Sequence, residues 1–97
     1  MQMKGKVAIV TGAGRGLGRA TAVALARVGV DLVIVSRTPH ELEETATMIM
    51  AVGGTVVTLE ADLARVEDID RTVETAAESY GGVDILMNNA AVVTSSK

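Results

Sequence analysis

The sequence predicts an α/β fold, a doubly wound parallel sheet with helices on both of its faces. Three observations predict it. Four short apolar runs alternate with three segments of helical periodicity, a glycine-rich turn directly follows the first run, and the apolar share comes from aliphatic side chains rather than aromatic rings. Strict alternation of strand and helix implies right-handed crossovers, which place the strands parallel in one sheet.

The four predicted strands are apolar runs bounded by polar residues or glycine. Runs of three or four residues are too short for helices, and they are typical of strands buried on both faces. Because such strands form the centre of a layered fold, the intervening segments are expected to cover the sheet. The strands are predicted over residues 7–10, 32–35, 56–59 and 85–87.

The three segments between these runs have apolar residues at intervals of three and four, which is the spacing of one helix face. Each is therefore predicted to be a helix whose apolar stripe packs on the sheet. The residues expected in the stripes are Leu17, Ala20, Ala24, Leu25 and Val28 in the first helix, Leu42, Ala46 and Ile49 in the second, and Ile69, Val73, Ala76 and Tyr80 in the third.

The second helix has the clearest start signal. Thr38 is predicted as its N-cap and Pro39 as its first residue, with Glu41 placed to complete a capping box. Glycines are expected to stop the helices, because they adopt the left-handed conformation common at helix ends. They are Gly29 for the first helix, Gly53 and Gly54 for the second, and Gly81 or Gly82 for the third.

Composition excludes several classes of protein. At 97 residues the chain holds one domain at most, and it is short for a doubly wound sheet built from two halves. A net charge of -3 argues against nucleic acid as a partner. The absence of cysteine excludes disulfides and thiolate zinc sites and favours a cytoplasmic location. No apolar run approaches membrane-spanning length, and the first six residues lack the apolar region of a signal peptide.

The glycine-rich turn after the first strand has the sequence T-G-A-G-R-G-L-G. Gly12 permits a sharp exit from the strand, Gly16 lets backbone N–H groups approach a pyrophosphate, and Gly18 lets the following helix pack close to the sheet. The turn is not a Walker P-loop, since no Gly-Lys-Ser/Thr follows, and it fits G-x-G-x-x-G in no register. It therefore predicts a phosphate-binding turn of a different class.

Three motifs in order resemble the short-chain dehydrogenase/reductase family. Each one lies where a predicted strand ends. They are Thr11-Gly12-x-x-x-Gly16-x-Gly18, Asp62-Leu63 and Asn88-Asn89-Ala90-Ala91. The resemblance implies a Rossmann-like sheet, here its first four strands with three helices. It also implies that residues 1–97 are the N-terminal part of a dinucleotide-binding domain that stops before the catalytic residues.

The resemblance also implies roles for the motif residues. Asp62 would hydrogen-bond the adenine amino group, and the backbone N–H of Leu63 would face a ring nitrogen. One asparagine of the third motif would tie the central strands together, while Asn89 would pass beneath the adenosine ribose. The residues expected to bind the cofactor are Gly12, Gly14, Arg15, Gly16, Leu17, Gly18, Ser36, Arg37, Asp62, Leu63, Asn89, Ala90 and Ala91.

The end of the second strand favours NADP over NAD. Folds that prefer NAD place Asp or Glu there to hold the ribose 2′-OH, whereas this chain has Ser36 and Arg37. An arginine can hold a 2′-phosphate through a bidentate, charge-assisted contact. Arg15 in the glycine turn is expected to approach the same phosphate from the opposite side.

The family transfers a hydride between nicotinamide and a carbonyl or alcohol substrate, using a Ser and a Tyr-x-x-x-Lys pair that this chain does not contain. Tyr80 is the only tyrosine, and Asp84 stands where the lysine would be, so Tyr80 is expected to be a core or cap residue. His40 is expected to be a solvated helix residue, and no residue is expected to bind a metal. The chain alone is therefore expected to be inactive, and the parent protein to be a homo-oligomeric oxidoreductase.

Two other classes of protein stay open at this point. One is a stand-alone dinucleotide-binding regulatory module without chemistry. The other is a sugar-nucleotide epimerase or dehydratase, although those proteins usually have a tighter Gly-x-x-Gly-x-x-Gly turn. The presence of Tyr-x-x-x-Lys in a longer parent chain would discriminate between them.

Overall fold

The structure is a computed structural model that describes residues 2–89. Strands and helices alternate along the chain as predicted, and each strand is one or two residues longer than its apolar run. The elements are β1 (Val7–Thr11), α1 (Gly16–Arg27), β2 (Asp31–Ser36), α2 (Pro39–Ala51), β3 (Val56–Glu60), α3 (Val66–Tyr80) and β4 (Ile85–Asn88).

The four strands form one parallel sheet in the order β3-β2-β1-β4. The chain moves outward from β1 to β3 and then returns to place β4 on the other side of β1. This reversal places β4 beside β1, so that the carboxyl ends of these two strands are neighbours where the strand order changes direction. Such a switch point is where open α/β sheets bind ligands.

Helices α1 and α2 cover one face of the sheet, and α3 covers the other. The first core contains Val10 and Ile34 from the strands together with Ile49 from α2, all at most 1% exposed. The second core contains Ile9 and Val33 from the strands with Ala76 from α3. The predicted parallel sheet with helices on both faces is therefore confirmed.

The predicted apolar stripes are correct for α2 and wrong for most of α1 and part of α3. In α2, the expected residues Leu42, Ala46 and Ile49 are all buried. In α1, small residues form the buried face because this helix packs tightly on the sheet, and the larger Leu17 and Val28 are exposed. The buried residues of α1 are Gly18, Ala22 and Ala26 rather than the predicted Ala20 and Ala24, which are exposed.

Helix α3 buries Ala76 as predicted, together with Thr72, while Ile69 and Val73 are 44% and 53% exposed. The hydroxyl of Thr72 donates to the carbonyl oxygen of Asp68 at 2.7 Å, so this polar residue is satisfied within its own helix. A threonine whose hydroxyl is paired in this way packs as an apolar residue. This is why the periodicity of apolar residues did not find it.

Helix α2 starts as predicted but without the capping box. Thr38 is its N-cap residue and Pro39 its first helical residue, yet the Thr38 side chain makes no capping hydrogen bond. The N–H of Thr38 donates instead to the Ser36 hydroxyl at 3.1 Å, so it is not available to the Glu41 side chain. The glycine stops are confirmed, because Gly29, Gly53 and Gly81 follow or cap the three helices with φ between 82° and 90°.

Tyr80 is a structural residue, as predicted. Its hydroxyl donates to the carbonyl oxygen of Leu32 at 3.0 Å, at the end of the sheet opposite the carboxyl ends of the strands. Burial raises the pKa of the Tyr80 phenol, and the carboxylate of Asp31 raises it further. A phenol whose proton is held in this way anchors α3 to β2.

Candidate functional site

An open cleft of about 880 Å³ lies at the carboxyl ends of the strands, above the switch point between β1 and β4. All the predicted binding residues within the described range line it. They are Gly12, Gly14, Arg15, Gly16, Leu17, Gly18, Ser36, Arg37, Asp62, Leu63 and Asn89. The predicted residues Ala90 and Ala91 lie outside the described range.

The glycine turn is held rigidly between β1 and α1. Gly12 has a φ of 61°, so the chain leaves β1 in a conformation that favours glycine. The N–H of Ala13 donates to the carbonyl oxygen of Val35 at 3.1 Å, which ties the turn to β2. A Cβ atom on Gly18 would overlap the carbonyl oxygen of Gly12, so only glycine allows α1 to start this close to the turn.

The first turn of α1 presents backbone donors to the cleft. Its N-cap residue, Arg15, makes no side-chain capping bond, and the first turn contains no acidic residue. The first N–H groups of a helix have no partner within it, and they carry the positive end of the helix dipole. Gly16, Leu17 and Gly18 all line the cleft. This arrangement suits a phosphate group.

Arg19 and Thr45 support the glycine turn from behind, and neither was found by sequence reasoning. The guanidinium of Arg19 donates to the carbonyl oxygen of Gly14 at 2.6 Å and to the Thr45 hydroxyl at 2.9 Å. The fully buried Thr45 hydroxyl in turn donates to the carbonyl oxygen of Ala13 at 2.8 Å. Two consecutive carbonyl groups of the turn are thus satisfied on the α2 side.

Thr11 joins the ends of β1 and β4. Its buried hydroxyl lies 2.8 Å from Oδ1 of Asn88, and it accepts the backbone N–H of Asn89 at 3.0 Å. These contacts orient the asparagine pair at the bottom of the cleft. The Nδ2 atom of Asn89 is buried without a hydrogen-bond partner within residues 2–89. A buried donor without a partner costs about 1–3 kcal/mol, which a ligand acceptor in the cleft would offset.

Asp62 closes the turn between β3 and α3. Its carboxylate accepts the N–H of Ala64 at 3.0 Å, and its own N–H donates to the Asp68 carboxylate at 2.7 Å. The N-cap residue of α3 is Arg65, so Asp62 lies three residues before the helix cap. Asp62 and Leu63 therefore form one wall of the cleft on a loop that Asp68 holds in place.

Four polar residues that line the cleft come from the glycine turn, the end of β2 and the first turn of α2. Ser36, Arg37 and Arg15 were expected there, and Glu41 was not. Arg15 and Arg37 are exposed, and neither makes an ion pair with a carboxylate of the described part of the chain. Both cations are thus available to an anionic ligand.

A family model described as short chain dehydrogenase matches residues 6–97. The chain belongs to the short-chain dehydrogenase family. This is a family of oxidoreductases that bind a nicotinamide dinucleotide. Its member YusS, a short-chain dehydrogenase/reductase homologue of Bacillus subtilis, is 37% identical over 93 residues, which are 95% of this chain and 85% of YusS.

Two other proteins similar to this chain are much longer. The uncharacterized oxidoreductase MT0954 of Mycobacterium tuberculosis is 45% identical over 84 residues, 87% of this chain but 32% of MT0954. Carveol dehydrogenase of Mycobacterium avium, solved in complex with NAD, superposes with a TM-score of 0.88 and 32% identity. That superposition covers 99% of this chain and 39% of the carveol dehydrogenase. The chain thus spans about a third to two fifths of these two relatives.

Two features are absent from the described residues. Residues 2–89 contain no group of three His, Asp or Glu side chains arranged to hold a metal ion. No helix in that range is both long and apolar enough to cross a membrane. A cytoplasmic location stays a prediction.

Proposed function

We propose that this chain is the NADP(H)-binding part of a short-chain oxidoreductase that transfers a hydride between nicotinamide and a carbonyl or alcohol substrate. The observation that carries the proposal is that one cleft contains both the uncapped start of α1 and two arginines, Arg15 and Arg37, that pair with no carboxylate of residues 2–89. A dinucleotide phosphate needs backbone donors and positive charge at the same place, and both are present there.

The remaining lining residues fit the rest of a dinucleotide. We assign the pyrophosphate to the first turn of α1, the adenine to Asp62 and Leu63, and the adenosine ribose to Ser36 and Asn89. The buried Nδ2 of Asn89 supports this assignment, because it needs an acceptor that the described protein residues do not supply. The bound cofactor would supply or accept the hydride, and the residues of this chain would hold and orient it.

The preference for NADP rests on charge at the end of β2. The related carveol dehydrogenase was solved with NAD, so membership of the family does not decide between the two cofactors. In this chain the β2 end carries Ser36 and Arg37, where a protein that prefers NAD usually has an acid. A 2′-phosphate would gain charge-assisted hydrogen bonds from Arg37 and Arg15.

The cofactor preference is tested by titration of the intact protein with each cofactor at one salt concentration. Arg37→Ala is expected to weaken NADP binding by about 10- to 150-fold, the worth of a hydrogen bond to a charged group, and to leave NAD nearly unchanged. Ser36→Asp is expected to reverse the preference, because a carboxylate repels the phosphate and accepts the 2′-OH of NAD.

Arg27→Ala is the matched control, since Arg27 is an exposed arginine in the last turn of α1, outside the cleft. It should change neither dissociation constant by more than about twofold. Equal binding of NAD and NADP by the unmodified protein, or equal weakening of both by Arg37→Ala, would contradict the NADP assignment.

A second prediction concerns catalysis by these 97 residues. The sequence contains no Tyr-x-x-x-Lys pair, and its one tyrosine donates to a backbone carbonyl away from the cleft. Positioned acid catalysis alone is worth about 100- to 10,000-fold in rate. We therefore expect the 97-residue chain to consume no NADPH above the rate without protein across a panel of ketones and aldehydes. Turnover by a homogeneous preparation would show that other residues perform the chemistry.

A dinucleotide-binding protein without chemistry is the second candidate. The length of YusS favours it, because this chain matches 85% of a relative of similar size. One measurement discriminates between the two candidate functions. If the intact protein, as expressed from its gene, binds NADP(H) but reduces no carbonyl compound, the binding module is the better assignment.

A further inference from the structure

The side chain of Glu41 lies at the corner of the cleft where the ribose 2′ position is assigned. A Cβ atom built on Gly14 would come within 2.8 Å of Oε1 of Glu41 and within 3.0 Å of the Ser36 hydroxyl. Because Gly14 has no side chain, the Glu41 carboxylate and the Ser36 hydroxyl both border the same small space. Both residues also line the cleft.

Two contacts explain why Glu41 lies there instead of capping α2. The Thr38 N–H, which a capping box would offer to Glu41, is already bonded to Ser36. In addition, the Arg19 guanidinium donates to the carbonyl oxygen of Glu41 at 3.3 Å and to that of Gly14 at 2.6 Å. The backbone of Glu41 is thereby tied to the glycine turn. Its carboxylate makes no hydrogen bond or ion pair within residues 2–89.

We propose that Glu41 is a specificity-determining residue for the 2′ position of the adenosine ribose, with an effect opposite to that of the two arginines. The proposal rests on the proposed function, since it assumes that the cleft binds a nicotinamide dinucleotide. Proteins of this fold that prefer NAD take their acid from the end of the second strand. Here that position is Ser36, and the acid comes from the first turn of α2.

The Glu41 carboxylate would distinguish NAD from NADP because the two cofactors differ at the ribose 2′ position. It accepts a hydrogen bond from the 2′-OH of NAD, but it is repelled by a 2′-phosphate, which carries close to two negative charges near neutral pH. Arg15 and Arg37 favour the phosphate, so the measured preference is the difference between the two effects. Glu41 therefore limits the preference for NADP and keeps NAD as a usable cofactor.

The test is titration of the intact protein with NAD and with NADP, in parallel with the Glu41→Gln and Glu43→Gln variants. Glutamine keeps the shape of the side chain and removes its charge. Glu41→Gln is expected to tighten NADP binding about five- to tenfold and to weaken NAD binding by a few-fold. The gain for NADP should shrink as the salt concentration rises, because screening weakens charge repulsion.

Glu43→Gln is the matched control, because Glu43 is exposed on the same helix, two residues away, and does not line the cleft. It should change either dissociation constant by less than about twofold. If Glu41→Gln behaves like Glu43→Gln, or changes both cofactors equally, the inference is wrong while the proposed function stands. If the unmodified protein binds neither cofactor, the proposed function fails and the inference fails with it.

Discussion

Gly18→Ala is expected to lower the free energy of unfolding by about 3 kcal/mol or more, the upper end of the range for overpacking a core. The added methyl group would overlap the carbonyl oxygen of Gly12, and backbone atoms cannot rotate away as the end of a flexible side chain can. Either α1 or the glycine turn would have to move, and both are tied to β2 and α2. We therefore expect a protein that is largely unfolded or that loses its cleft.

The measurement is chemical denaturation followed by far-ultraviolet circular dichroism. Gly53→Ala is the matched control, because Gly53 has a φ of 82° and open space around it. That substitution should cost only the left-handed strain of about 1–2 kcal/mol. A Gly18→Ala protein at least as stable as Gly53→Ala would mean that α1 does not need its close approach to the turn.

Another large effect is expected at β4, where an apolar side chain on the α3 face of the sheet is exposed. Leu86 pairs in register with Ile9 and lies on the α3 face, yet it is 62% exposed while Ile9 is 3% exposed. One side of α3 is bound to β3, since Arg71 donates to the carbonyl oxygen of Glu60 at 2.7 Å. The opposite side of α3, which carries Val73, is therefore turned toward β4. Leu86, Val73 and the unpaired edge of β4 in the described sheet together form an apolar surface suited to strand pairing.

A polypeptide of these 97 residues is expected to self-associate through this surface, and Leu86→Lys is expected to weaken the association about a hundredfold or more. A lysine placed there would be an uncompensated charge in an apolar interface. Size-exclusion chromatography with light scattering measures the effect. Met50→Lys is the control, because Met50 is 58% exposed on α2, which covers the other face of the sheet. A monomeric unmodified chain, or equal dissociation by Met50→Lys, would contradict this prediction.

The strands, the helix ends and the glycine turn could be predicted because they depend on local chemistry. A buried strand needs a continuous apolar run, and a positive φ at Gly12 or Gly53 needs glycine, whatever the rest of the chain does. The order of those signals along the chain was enough to predict a parallel sheet with helices on both faces. The motifs at the strand ends identified the family because they too are short local signals, and residues of all three motifs line the cleft within the described range.

The tertiary structure decided which side chains face each other, because that depends on residues far apart in the chain. Periodicity predicted Leu17 in the stripe of α1, but the close approach allowed by Gly18 selects the small residues and leaves Leu17 exposed. Glu41 was expected to cap a helix. The Ser36 hydroxyl, five residues earlier, accepts the Thr38 N–H instead, and the Glu41 carboxylate lies in the cleft beside Gly14, the position on which its proposed role in cofactor choice rests.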